Sequence, residues 1–234
     1  MPHPYRHMLS VIEDNAHLIS MVPVEELLRL GYEIGLQPDM EVLDLCCGYG
    51  TLLKVWREAF GIAGTGVDRE KEFLDAGARR LQAHGIDRVR LICGDVTTWR
   101  DDARYDVVIC SETIGSIGDT LALGARFLKP GGTLCYQKLY AKVSDPPQPL
   151  LDFDGEVLPL SELNRRFEAL GWTLTAMAGD TPGMWERYAV HWCGRRNREQ
   201  HADPAWIRLW NDMYFDYRRP YEGQAMFALK RSEE

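Results

Sequence analysis

Three aspartates stand where apolar runs come to an end: Asp44 in Val42-Leu-Asp-Leu-Cys-Cys-Gly-Tyr-Gly50, Asp68 in Gly64-Thr-Gly-Val-Asp68, and Asp95 in Ile92-Cys-Gly-Asp-Val96. An acid at the carboxyl end of a buried strand faces the crevice where open α/β sheets bind ligands, and there it can accept hydrogen bonds from hydroxyls or amines. Gly48 and Gly50 supply a turn whose backbone can approach such a ligand closely. Asp68 follows Gly48 by 20 residues, the spacing at which a second acid can accept from ribose hydroxyls. Asp95 can accept from an adenine amino group while Val96 packs on the ring face. The same residues also fit an ordinary strand-to-helix turn with aspartates capping the following helices. Two nucleotide chemistries are excluded. A nicotinamide fingerprint requires Gly where Leu53 stands, and no Gly-Lys-Ser/Thr follows the glycines to hold a triphosphate. Asp44 in this place suits a cationic ligand better than a pyrophosphate.

The elements that must position these residues are read from periodicity. Short β-branched or apolar runs at 41–46, 62–67, 88–93, 105–110 and 133–140 alternate with helical stretches at 51–60, 70–84 and 120–128, the pattern of βαβ crossovers and a parallel sheet. Gly61, Gly85 and Lys129-Pro130-Gly131-Gly132 are natural stops. Upstream, 24–34 and, more weakly, 8–19 are amphipathic and are expected to cover the sheet edge. Asp145-Pro-Pro-Gln-Pro149 marks a loop. Ser161 with Asn164 reads as a capping box for a helix that Gly171 stops. Alternation at 172–177 and 222–230 predicts a terminal antiparallel pair, and the aromatic stretch 184–217 between them reads as a helical substrate cover. The chain is expected to be one domain: an N-terminal helical cover over 1–40, a binding core over 41–140, and a substrate-side portion over 141–234.

Composition narrows the function classes. With 234 residues, 45% hydrophobic and 26% charged, the chain can bury a full core and is not a disordered one. A net charge of -8 repels polyanions, so no nucleic acid partner is expected. No apolar run is long enough to span a membrane, and Met1-Pro-His-Pro-Tyr-Arg-His lacks the apolar segment of a secretory signal. The expectation is a cytoplasmic protein without a membrane partner. Six cysteines without a Cys-x-x-Cys pair predict reduced thiols and no metal site.

The ordered series of motifs, completed by Tyr105-Asp-Val-Val-Ile-Cys110 and Leu128-Lys-Pro-Gly-Gly-Thr-Leu134, resembles the class I S-adenosylmethionine-dependent methyltransferases over residues 41–140. The resemblance implies a Rossmann-like, mostly parallel seven-stranded sheet with its last strand antiparallel and helices on both faces. N-terminal helices and a helical lid insertion complete the expected fold. It also implies S-adenosyl-L-methionine as cofactor, with Asp44, Cys46, Gly48, Gly50, Asp68, Arg69, Gly94, Asp95, Val96 and Cys110 around it. Cys46 departs from the glycine that this family's loop often carries there. More loosely, Gly183-Met-Trp-Glu-Arg-Tyr-Ala-Val-His-Trp192 and the segment 217–229 resemble bacterial enzymes that methylate small molecules.

A sulfonium is already an activated leaving group, so positioning does most of the work and a base is needed only for a protonated acceptor. Glu112, just past the fourth strand, is the best-placed base, against the alternative of a solvated loop acid. His191 and Tyr140 are further candidates for that role. Trp185, Tyr188, His191 and Tyr217, with Glu112 and Tyr140, are the expected acceptor contacts, against the alternative of an aromatic helix that only packs on the sheet. The expected reaction is methyl transfer to an O, N, S or C atom of a small molecule. The other readings are a noncatalytic cofactor-binding regulatory module and a methyltransferase acting on a macromolecule.

Overall fold

Strand β1 (Glu41–Leu45) reads Glu-Val-Leu-Asp-Leu and, after its first residue, is buried along its length, as a central parallel strand covered on both faces must be. It pairs in parallel with β2 (Ala63–Asp68) on one side and β4 (Tyr105–Cys110) on the other. Strand β3 (Val89–Cys93) lies outside β2, and β5 (Leu128–Ala141) continues the sheet beyond β4. The final strand β7 (Glu222–Arg231) inserts antiparallel between β5 and β6 (Trp172–Gly179), giving the order β3-β2-β1-β4-β5-β7-β6. The strand order reverses between β1 and β4, which opens a crevice at their carboxyl ends. This computed structural model describes residues 6–193 and 203–232.

Side-chain alternation divides the core. Val42, Val107, Ile109, Cys135 and Met226 meet helices α2 (Val24–Glu33) and α3 (Thr51–Phe60) on one face. Leu43, Leu45, Val108, Leu134 and Phe227 meet α5 (Ile117–Ala125) and α7 (Leu160–Ala169) on the other. Helix α4 (Lys71–Ala83) lies between β2 and β3 in sequence. The N-terminal helices pack beside α3 on one face and reach the edge strand β6: Trp56 Nε1 donates to Leu27 O at 3.0 Å, and Arg29 reaches the Met177 carbonyl of β6 at 2.9 Å. Helix α1 (Arg6–Ala16) is held by buried charge, since Asp14 accepts from Lys54 Nζ at 3.1 Å and from Arg80.

Three local expectations are corrected. Lys129-Pro130-Gly131-Gly132 is no stop before a strand; it is a bulge within β5, with Gly131 at φ +74° and a register shift opposite Tyr105 and Val107. Ser161 lies inside α7, whose N-cap is Pro159 without a side-chain cap. The capping box belongs to Ser116 and Asp119, which opens α5 at Ile117, three residues before the expected start. The proline-rich loop ends at Pro147 because Pro149 fits the first turn of α6 (Gln148–Asp154), where its missing N–H is not needed.

The stretch between β6 and β7 is helical where described: α8 (Pro182–Glu186), a π-helical segment (Arg187–Cys193), α9 (Pro204–Met213) and a second π-helical segment (Tyr214–Arg218). It is tied to the sheet by Arg218, whose Nε lies 2.8 Å from Glu222 Oε2 and 3.1 Å from Asp154 Oδ2. The same guanidinium sits 5.3 Å from the ring centres of both Trp185 and Trp210.

Candidate active site

The carboxyl ends of β1, β2 and β4 open into a cavity of about 680 Å³. Its glycine-loop wall is Cys46, Cys47, Gly48 and Tyr49, between β1 and α3. Asp68 shapes that wall: its Oδ2 accepts from Gly48 N at 2.8 Å and its Oδ1 from Glu70 N at 2.9 Å. Gly48 has φ +55° and Gly50 φ +67°, conformations that favour glycine, and a Cβ on Gly50 would meet Leu91 at 2.7 Å.

Cys46 also has a positive φ, +65°, which a residue with a Cβ adopts at a cost. Strain is therefore built in at this step of the loop. Cys46→Val is expected to lower stability by about 2 kcal/mol, because a β-branched side chain fits this region worst, whereas Cys46→Gly is expected to fold as stably as wild type. Urea denaturation measures both, and equal midpoints for the two variants would contradict the assignment.

Asp44 is buried on the cavity wall and accepts from Ser111 Oγ at 2.9 Å. Burial pushes its carboxyl up to about 7, against the lowering effect of Ser111 and with a further push from the charge on Asp68. Glu112 also lines the cavity, and although its side chain is open to the crevice, the surrounding walls and Asp68 raise its pKa while Lys138 and Arg69 oppose them. Gly94, Asp95, Val96 and Arg69 line the far end, where Asp95 accepts from Thr97 N at 2.8 Å and Val96 is buried.

Four expected contacts lie elsewhere. Cys110 is buried in the core, its Sγ directed at Thr120 O of α5 at 3.9 Å. Tyr140 is outside the cavity wall because its ring lies across Gly223 of β7, where a Cβ would come within 2.4 Å of it. Trp185 is buried with Nε1 on Asp180, and half-buried Tyr217 is also outside the wall, so among the described residues of the aromatic cover only Tyr188 reaches the cavity. The His191 side chain, like residues 194–202 of the expected lid, lies outside the described residues.

A further wall is the α1–α2 connection, His17 to Ser20. His17 meets Tyr49 edge-on at 6.0 Å, and Tyr49 meets Phe73 of α4 at 4.8 Å, an aromatic cluster beside the glycine loop. Thr113, Ile114, Gln137, Tyr188 and Met226 complete the end away from Asp95. Sequence reading missed His17, Tyr49, Phe73 and Gln137; a polar residue inside the apolar run of β5 was the available signal for Gln137.

The residues fit a cofactor that joins an amino acid, a ribose and an adenine. Acceptor oxygens stand at three strand ends, and the glycine cradle has no room for side chains. A model of the methyltransferase domain family matches residues 42–132. A solved methyltransferase from Thiobacillus denitrificans, in complex with S-adenosyl-L-homocysteine, is 26% identical and superposes with a TM-score of 0.83, covering 99% of this chain and 100% of that one. A second such complex, from Geobacter sulfurreducens, is 27% identical with a TM-score of 0.80, covering 96% and 98%. The protein YjhP of Escherichia coli K12 is 28% identical over 88% of this chain and 90% of its own length. Over residues 42–132 this chain carries a methyltransferase domain, and its sheet order and cofactor-end cavity match those of S-adenosylmethionine-dependent methyltransferases. It is an enzyme that uses S-adenosyl-L-methionine, and no helix among the described residues is long and apolar enough to cross a membrane.

Proposed function

We propose that the chain methylates a small-molecule acceptor in the cytoplasm, and that the acceptor lies at the end of the cavity formed by Glu112, Thr113, Ile114, Gln137, Tyr188 and Met226. The observation that carries this reading is the cavity itself, whose volume of about 680 Å³ is within the range of small-molecule and cofactor sites. Asp68 holds the ribose, Gly94, Asp95 and Val96 hold the adenine, and Gly48 and Gly50 border the amino acid portion. Bound there, the cofactor supplies an electrophilic methyl on a positively charged sulfur. Asp44, Asp68 and Glu112 give the cavity a negative field that favours this charge. Glu112 accepts the acceptor's proton or a hydrogen bond from it; its raised pKa brings it nearer the range a general base needs at neutral pH. Incubating the protein with labelled cofactor and fractionated metabolite extract, then identifying the labelled product by mass, tests the proposal. Label appearing only in protein or nucleic acid would overturn it.

The carboxyl of Asp44 makes cofactor discrimination depend on pH. Below its pKa of about 7 Asp44 is protonated and neutral; above it, the carboxylate attracts the sulfonium, which the demethylated product lacks. The affinity for S-adenosylmethionine relative to S-adenosylhomocysteine is therefore expected to rise between about pH 6 and pH 8. Calorimetry with both ligands measures the ratio, and a ratio constant over that interval would remove Asp44 from the charge recognition.

A further inference from the structure

Four polar residues of the cavity wall form one continuous hydrogen-bonded path. Ser111 Oγ donates to Asp44 Oδ1 at 2.9 Å, and the Ser111 carbonyl accepts from Gln137 Nε2 at 3.3 Å. Gln137 Oε1 in turn accepts from Ser20 Oγ at 2.8 Å. Ser20 Oγ also accepts from Val22 N at 3.0 Å, so the hydroxyl is engaged on both sides. On the neighbouring strand β7, Gln224 Oε1 accepts from Met21 N at 2.9 Å and stands 3.2 Å from the same hydroxyl. Asp44, Ser20, Gln137 and Gln224 are all buried, where a polar group without a partner is costly.

This path joins two parts of the cavity that the sequence separates widely. At one end is the strand β1 acid beside the glycine loop; at the other is the loop between α1 and α2, which lines the cavity. Two carboxamides inside the sheet face are costly to bury, and packing alone would be served as well by Leu or Met. Gln137 bridges the Ser111 carbonyl and Ser20, and Gln224 holds Met21.

We propose that Gln137 is a positioning residue that ties the placement of the Leu18–Val22 segment to the cofactor end of the cavity, through Ser111 to Asp44 and through Ser20 to the segment. The proposal rests on the cofactor lying against Asp44 and the glycine loop. With the carboxylate of Asp44 held by ligand, Ser111 is fixed, the Gln137 amide is aimed, and its oxygen holds Ser20; when the ligand leaves, the same path loosens and the Ser20 wall is held less firmly, although Leu18, Met21 and Val22 stay anchored in the core. Gln137 touches no reacting atom in this role.

The test is the dissociation rate of S-adenosylhomocysteine from the full-length protein, followed by stopped-flow displacement with excess unlabelled ligand. Ser20→Ala, Ser111→Ala and Gln137→Met are each expected to release it about tenfold faster, the loss of one to two buried hydrogen bonds. The deciding measurement is the Ser20→Ala/Ser111→Ala double variant. No hydrogen bond joins these two side chains, so independent effects would multiply to about a hundredfold, whereas a shared path leaves the double variant close to the faster single one. Thr51→Val provides the contrast: Thr51 Oγ1 holds the same loop at His17 O, 2.8 Å away, but lies off the path, so its effect should multiply with that of Ser111→Ala. Ser20→Ala and Ser111→Ala each remove a single oxygen, so they decide the matter even where Gln137→Met does not fold. Multiplying effects for Ser20 and Ser111, or wild-type release rates in well-folded variants, would overturn the proposal and leave the cofactor assignment intact. A wild-type protein that binds no S-adenosylhomocysteine would overturn both.

Discussion

Asp68→Ala is expected to weaken S-adenosylhomocysteine binding by about 100-fold, close to 3 kcal/mol, through two losses that act together. The first is internal. One carboxylate oxygen holds the Gly48 N–H and the other the Glu70 N–H, so the substitution frees the glycine loop and the start of the next helix at once. The second concerns the ligand: each carboxylate oxygen keeps a lone-pair site beyond the one used, and on the proposed reading these accept from the ribose hydroxyls. Asp68→Asn should recover little, since its amide NH2 must face one of the two backbone donors. Isothermal titration at pH 7.5 on variants that retain the wild-type circular dichroism measures the effect. A dissociation constant within threefold of wild type for Asp68→Ala would remove Asp68 from the ribose site.

The strength of that expectation reflects what was legible in the chain. The central parallel strands β1, β2 and β4 were written in buried apolar runs, and β4 and α3 stand where periodicity put them. The terminal antiparallel pair was also legible as alternation. Local capping was less so. Pro159 ends the approach to α7 without any side-chain cap, so the Ser161 signal was a match in composition without the geometry. Glycines carried more than turn information: Gly77, inside α4, leaves no room for a Cβ, which would meet Tyr49 O at 2.3 Å, and this close approach sets the helix against the glycine loop. The acceptor side was hardest to read because its residues come from distant segments. Tyr140 and Trp185 have the composition of a substrate wall, yet Gly223 and Asp180 receive them instead. The residues that do close the cavity, His17 to Ser20, sit where the weak amphipathic pattern of 8–19 predicted continued helix; α1 ends at Ala16 and leaves them on a short connection.

That same far side of the molecule depends on one buried cation. Arg218→Met is expected to cost about 3–5 kcal/mol, because it strands two carboxylates that the fold has already removed from water. Glu222 is fully buried, its Oε1 has no hydrogen-bond partner among the described residues, and Asp154 is nearly as enclosed. The substitution also removes the guanidinium from between Trp185 and Trp210, loosening the helical segments that follow β6. Burial pushes the Glu222 carboxyl up to about 7 even with Arg218 beside it, and it raises that of Asp154. In the variant both rise further. An acid whose pKa is higher folded than unfolded costs nothing while both states are protonated and destabilises the fold as pH climbs from the unfolded value through the folded one. The deficit of Arg218→Met should therefore be smaller at pH 5 than at pH 8, and Arg218→Met/Glu222→Gln should recover much of it at pH 8. A melting midpoint about 10 °C below wild type at pH 8 is the corresponding thermal expectation for a chain of this size. Well below that midpoint, S-adenosylhomocysteine affinity should stay within threefold of wild type, because Arg218 does not line the cavity. A loss of stability under 1 kcal/mol, or one equally large at pH 5 and pH 8, would show that water or a neighbouring cation already shields these carboxylates and that Arg218 does not hold this side together.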